Sequence, residues 1–157
     1  MSDQLTTLID QCRRGELPYQ ALLDRVPYAR FLGMQIQARG EELTFVLPRA
    51  ESNIGNPTLP ALHGGAVGGF MEQSALVFLL LAMGEPRLPK TIDFTIDYLR
   101  AGHFRDSFAE CRVTRLGRRV ANVHIRAWQV RREEPIAIAR AHFLLSDNVS
   151  EESTVTY

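Results

Sequence analysis

At 157 residues, with 45% apolar and 23% charged side chains, the chain has the make-up of one soluble globular domain with a full core. Eighteen Lys and Arg balance eighteen Asp and Glu, and a formal net charge of zero argues against nucleic acid or an anionic membrane as partner. Cys12 and Cys111 are too few for a disulfide framework and lack metal-ligand spacing, so neither a disulfide nor a metal is expected, and a reducing, cytoplasmic setting is.

The N-terminal stretch has no long apolar run and does not read as a signal peptide. From Asp3 to Arg14, Leu5, Leu8, Ile9 and Cys12 recur at helical spacing, and Gly15 is placed to stop the helix. Pro18 to Val26 predicts a second short helix ended by Pro27, after which Tyr28 to Leu32 leads into Gly33. Residues 1–30 thus form an N-terminal helical segment lying over the main body.

From Met34 the period becomes two. Met34, Ile36 and Ala38 alternate with Gln35, Gln37 and Arg39, and after Gly40 Leu43, Phe45 and Leu47 alternate with Glu42, Thr44 and Val46, which is a hairpin signal. Pro48 ends the second strand, and Glu51 to Pro60 (ESNIGNPTLP) reads as loop. An almost uncharged helix follows from Gly64 to Met83, stopped at Gly84-Glu85-Pro86. Its length would suit a membrane span, but Glu72 near its centre would be costly at bilayer mid-depth, so a helix buried in a soluble protein is expected. Four strands close the chain. Thr91 to Leu99 puts Ile92, Phe94, Ile96 and Tyr98 on one face; Ser107 to Leu116 and Val120 to Val130 flank the turn Gly117-Arg118-Arg119; Ile136 to Leu145 is last. Residues 146–157 form a polar tail. No linker or repeat divides residues 1–157, so one α+β domain is expected, an antiparallel sheet wrapped around one long central helix.

The most informative segment is HGGAVGGFME, from His63 to Glu72. A helix that opens on Gly64 and Gly65 lets a ligand approach the backbone closely. Its first amides have no internal partners and carry the positive end of the dipole, so they can polarise a carbonyl and stabilise an oxyanion. Glu72, about two turns on, returns to roughly the same helix face. A lone carboxylate on an apolar helix is a functional candidate. Two structural readings stand beside this one: glycines that serve close helix packing, and His63 as a helix cap.

HGG followed by an acid nine residues after the histidine resembles the PaaI-like hotdog thioesterases. KTIDFTIDYLRAG, RVTRLGRRVANVHIRAWQ and PIAIARAHFLL look like that family's later strands. The resemblance covers about residues 30 to 145 and implies a hotdog fold. It also implies hydrolysis of acyl-CoA or aryl-CoA thioesters, with coenzyme A as part of the substrate and no separate cofactor. In such enzymes the first helix-opening glycine, here Gly64, donates its amide to the thioester carbonyl. The acid, here Glu72, acts from the opposite subunit as nucleophile or base, so an obligate homodimer, or a tetramer built from it, is implied. The family usually has Asp at this position, and a Glu-bearing branch exists. The family's Asn or Gln six residues before the histidine is Pro57 here, so its role in orienting water passes to Asn56, with Asn53 further back. The hairpin with Arg115, Gly117, Arg118 and Arg119 lies near the CoA phosphates in relatives, and guanidinium groups suit them. Two other functions share the fold: acyl-CoA binding without turnover, and 3-hydroxyacyl thioester dehydration or hydration. The dehydratases' histidine would fall at Thr58.

Overall fold

The computed structural model describes residues 2–85 and 87–146. The tail read as polar and frayed, apart from Ser146, and Pro86 of the expected helix stop lie outside the described residues.

Three helices open the chain: α1 (Ser2–Arg13), α2 (Gln20–Leu23) and α3 (Pro27–Phe31). The apolar stripe of α1 buries Ile9 and Cys12, and the chain turns at Gly15 with φ of +72°. Pro27 does more than end a helix. It occupies the first turn of α3, where its fixed φ suits a helix and its missing N–H costs nothing. The lead-in expected over Tyr28 to Leu32 is therefore mostly helical.

Strands β1 (Gln35–Arg39) and β2 (Glu42–Leu47) form the expected hairpin across Gly40. The stretch read as loop contains structure: a 3-10 turn at Glu51–Asn53, then a small antiparallel ribbon of β3 (Ile54–Asn56) and β4 (Ala61–Leu62). The ribbon is too short to show a period, and its Asn, Gly and Pro content masks it. Helix α4 (Gly64–Met83) follows. Four strands complete the fold: β5 (Pro89–Tyr98), β6 (Ser107–Leu116), β7 (Val120–Trp128) and β8 (Ala137–Leu145).

The six long strands make one antiparallel sheet in the order β1-β2-β6-β7-β8-β5. This is the hotdog fold: the sheet wraps α4, which packs on β5, β6, β7 and β8. By length and composition α4 could cross a membrane, yet here it is the central helix of a folded domain. Alanine explains how the sheet closes on it. Ala109, Ala121, Ala127, Ala137, Ala139 and Ala141 lie on the inner face and are almost fully buried, so the larger Phe70, Met71, Val77 and Leu79 of α4 interdigitate with small partners. Bulges at Thr91/Asp93 and Val113/Arg115 break the alternation. One result is that Ile92, expected beside Phe94 and Ile96, is 57% exposed.

The two edges of the sheet differ. Beside β1, the Gln20 side chain donates Nε2–H to the Met34 carbonyl at 3.1 Å and accepts Ile36 N–H at 3.1 Å. Among the described residues the outer side of β5 has no strand next to it.

Helix α4 ends at Gly84 in the left-handed conformation, φ +63°. The Arg13 guanidinium from α1 fills the place a Cβ would take there, putting a cation at the negative end of the helix. Gly84→Ala is expected to cost about 1–2 kcal/mol from the left-handed backbone alone. In a thermal melt that is a fall in Tm of about 2–8 °C for a domain of this size; an unchanged Tm would refute this account of the cap.

Candidate active site

The chain enters α4 through His63, which has extended backbone (φ −64°, ψ 130°). Its N–H donates to the Asn53 carbonyl at 2.8 Å, fixing it against the ribbon. Its Nδ1 accepts Gly65 N–H at 2.9 Å, so His63 acts as the N-cap and that nitrogen carries no proton. The His63 carbonyl accepts Ala66 N–H at 3.0 Å and Val67 N–H at 3.2 Å. The cap thus takes up the amides of Gly65, Ala66 and Val67.

Gly64 N–H has no hydrogen-bond partner among the described residues. Its peptide carbonyl, that of His63, already accepts two donors, which polarises the unit and strengthens the N–H. Of the two glycine amides singled out from the sequence, Gly64 has a free donor and Gly65 does not.

Gly64 borders a cleft of about 440 Å³ between the start of α4 and the end of β5, lined also by Leu62, Val67, Tyr98, Arg100 and Ile136. The Tyr98 ring stands at its wall. Its hydroxyl donates to the Gly64 carbonyl at 2.6 Å, and a Cβ on Gly64 would lie 3.2 Å from the ring. The loop after β5 is held by Gln129, which is buried. Gln129 accepts His103 N–H at 2.9 Å and donates to the His103 carbonyl at 2.9 Å and Ser107 Oγ at 3.1 Å. Gln129→Leu leaves the His103 groups unpaired and is expected to cost about 1–3 kcal/mol. A urea midpoint equal to the wild type would overturn this role.

The other expected site residues are dispersed. Asn56 is exposed and its Oδ1 accepts Thr58 N–H at 3.0 Å and Leu59 N–H at 3.4 Å, a local turn. Asn53 is only 7% exposed, and its side-chain amide has no partner among the described residues. It lies one backbone hydrogen bond from His63. Glu72 is half-buried on α4 and forms no hydrogen bond or ion pair among the described residues. Eight residues of helix put it about 12 Å along the axis from Gly64, so within one chain it cannot touch a carbonyl held at the Gly64 amide.

The hairpin of Gly117, Arg118 and Arg119 sits at the other end of the sheet. Val120 pairs with Leu144, which pairs with Lys90, whereas Tyr98 pairs with Ala137, which pairs with Ala127. Lys90 to Tyr98 is roughly 25 Å of strand. Arg115 is also exposed on that hairpin's first strand.

Burial raises the pKa of both thiols, Cys12 and Cys111, so neither is a thiolate nucleophile. Among the described residues no three His, Cys, Asp or Glu side chains cluster as a metal site would require. Tyr98 and Gln129 had not been singled out for the site. Both stand at strand ends, where only the folded sheet shows what they face.

A solved protein from Chromobacterium violaceum is 39% identical, with 90% of this chain and 98% of that one covered and a TM-score of 0.69. The model of the thioesterase superfamily matches residues 59–136, from the ribbon to the start of the last strand. The chain belongs to the thioesterase superfamily. Membership makes it a thioester hydrolase at the level of reaction class. Other superfamily likenesses extend the fold. A thioesterase from Haemophilus influenzae superposes with a TM-score of 0.74 at 20% identity, covering 87% of this chain and 95% of that one. The PaaI protein of the E. coli phenylacetic acid degradation operon gives 0.65 at 19%, covering 80% and 92%. No curated protein matched.

Proposed function

We propose that this superfamily member hydrolyses acyl-CoA or aryl-CoA thioesters at a site shared by two copies of the chain. The observation that carries the reading is the Gly64 N–H, without a partner among the described residues, at the positive end of a 20-residue helix whose first residue borders the cleft. A thioester carbonyl placed there is polarised, and the oxyanion formed on attack is stabilised by the same donor. The C–S bond then breaks, releasing a carboxylic acid and the CoA thiol.

Glu72 supplies the nucleophile, or the base that activates water, from the partner copy. Distance supports the partner: Glu72 and the arginine hairpin both stand too far from Gly64 of their own chain. Antiparallel pairing of two β5 edges about a two-fold axis reverses one sheet end to end. It thereby brings the partner's hairpin toward this cleft. Exposed Ile92, Tyr98 and Leu99 along β5 supply apolar contact for such an interface. In this arrangement Arg118 and Arg119 hold CoA phosphates. Asn53, with its unpartnered amide next to His63, orients the attacking water better than Asn56, whose oxygen is committed to a turn.

The test is thiol release from a panel of short, medium, long and aromatic acyl-CoAs, run alongside sedimentation. Turnover of at least one class by a dimer or a larger assembly is expected. Binding of CoA esters without release of thiol from any of them would sink the reading.

A further inference from the structure

We propose that Tyr98 is a positioning residue of this site, its hydroxyl holding the Gly64–Gly65 peptide so that Gly64 N–H keeps a fixed orientation at the edge of the cleft; this rests on the thioester-hydrolysis reading above. The need for such a hold follows from the sequence. Two consecutive glycines have the freest backbone of any pair, and they stand where a donor has to be fixed before reaction.

Two peptide planes meet at Gly64. The one carrying its N–H is held from within the helix, through the His63 carbonyl and the Ala66 and Val67 amides. The one carrying its carbonyl is held at both ends, by the Tyr98 hydroxyl at 2.6 Å and by His63 Nδ1 on Gly65 N–H at 2.9 Å. Tyr98 is the one contact among these that comes from another element, the end of β5.

The glycines fit the ring as well as the substrate. A Cβ on Gly64 would lie 3.2 Å from the Tyr98 Cζ and hydroxyl, and one on Gly68 would lie 3.5 Å from the hydroxyl. A bare helix face thus lets the ring sit close enough for a short hydrogen bond. The hydroxyl has one proton and donates it to Gly64, so Tyr98 does not act as the acid or as a direct oxyanion donor.

Tyr98→Phe keeps the ring and removes the bond. Because the lost hold matters most in the transition state, kcat is expected to fall about tenfold with KM within about twofold. Unchanged kcat, or a change in KM alone, overturns the proposal. A second measurement separates this from failure of hydrolysis itself: the amide resonances of Gly64 and Gly65 in wild type and Tyr98→Phe. Loss of the carbonyl's hydrogen bond is expected to move the Gly65 amide proton upfield while amides of β1 and β2 stay fixed. If the wild type cleaves no thioester, the hydrolysis reading fails and positioning is decided by these spectra alone; unmoved Gly64 and Gly65 resonances overturn it.

Discussion

Gly64→Pro is expected to lower kcat by about 10²–10³-fold, the usual effect of removing one oxyanion donor, while the protein stays folded. Proline is an unusually clean probe here. Gly64 is the first residue of α4, where proline is favoured because its missing N–H has no partner inside the helix. The residue before a proline must be extended, and His63 already is, at φ −64° and ψ 130°. A Cβ on Gly64 lies 3.2 Å from the Tyr98 ring, so Tyr98→Phe measured alongside separates loss of the Gly64 donor from loss of the Tyr98 hydrogen bond. Circular dichroism and Tm report the fold; steady-state thiol release reports the donor. Wild-type kcat in a folded Gly64→Pro protein would remove the helix N-terminus from the mechanism.

Glu72→Gln is expected to cost about 10²–10⁴-fold in kcat, the range for a positioned acid or base. Its carboxylate has no partner to lose among the described residues, so Tm should change little. That separates a functional carboxylate from one serving a salt bridge, whose removal would leave a buried charge unpaired. Full activity in Glu72→Gln would refute the assigned role. The two variants also test where the site is built. In a mixed dimer of Gly64→Pro and Glu72→Gln, one site pairs an intact Gly64 with an intact Glu72 from the other copy. Random re-association should then restore about a quarter of wild-type activity. No recovery on mixing would place both groups on one chain, against the 12 Å separation estimated from the helix rise.

Much of the fold was legible because its signals are periodic. The hairpin alternation from Met34 to Leu47 and the apolar run from Gly64 to Met83 both appear with nearly their expected bounds. What periodicity cannot show was missed. The β3–β4 ribbon has three and two residues, too few to alternate. The bulge at Thr91/Asp93 turns Ile92 outward, and a bulge leaves no compositional trace. Pro27 carries both a stop and a start, and the sequence alone favoured the stop.

The candidate site was legible in its motif and hidden in its geometry. HGG and Glu72 could be singled out because one carboxylate and paired glycines are conspicuous on an apolar helix. Which glycine amide is free could not be read, since that depends on the rotation of the His63 ring. Phe70 and Met71, just before Glu72 in the sequence, are fully buried core. Tyr98 lies 34 residues from Gly64 along the chain, and no spacing rule connects the two.

The Gln20 amide alongside β1 limits how copies of this sheet can add to one another. By taking both the Met34 carbonyl and the Ile36 amide, it presents a side chain where an incoming backbone would have to pair. A sheet with two open rims can add copies without end, as fibres do; a sheet with one can only meet its mirror rim and stop. Where two copies pair through β5 as proposed, extension therefore stops at twelve long strands, twice the six of one copy. Gln20→Ala should remove that stop, seen as species larger than the parent assembly in sedimentation at high protein concentration.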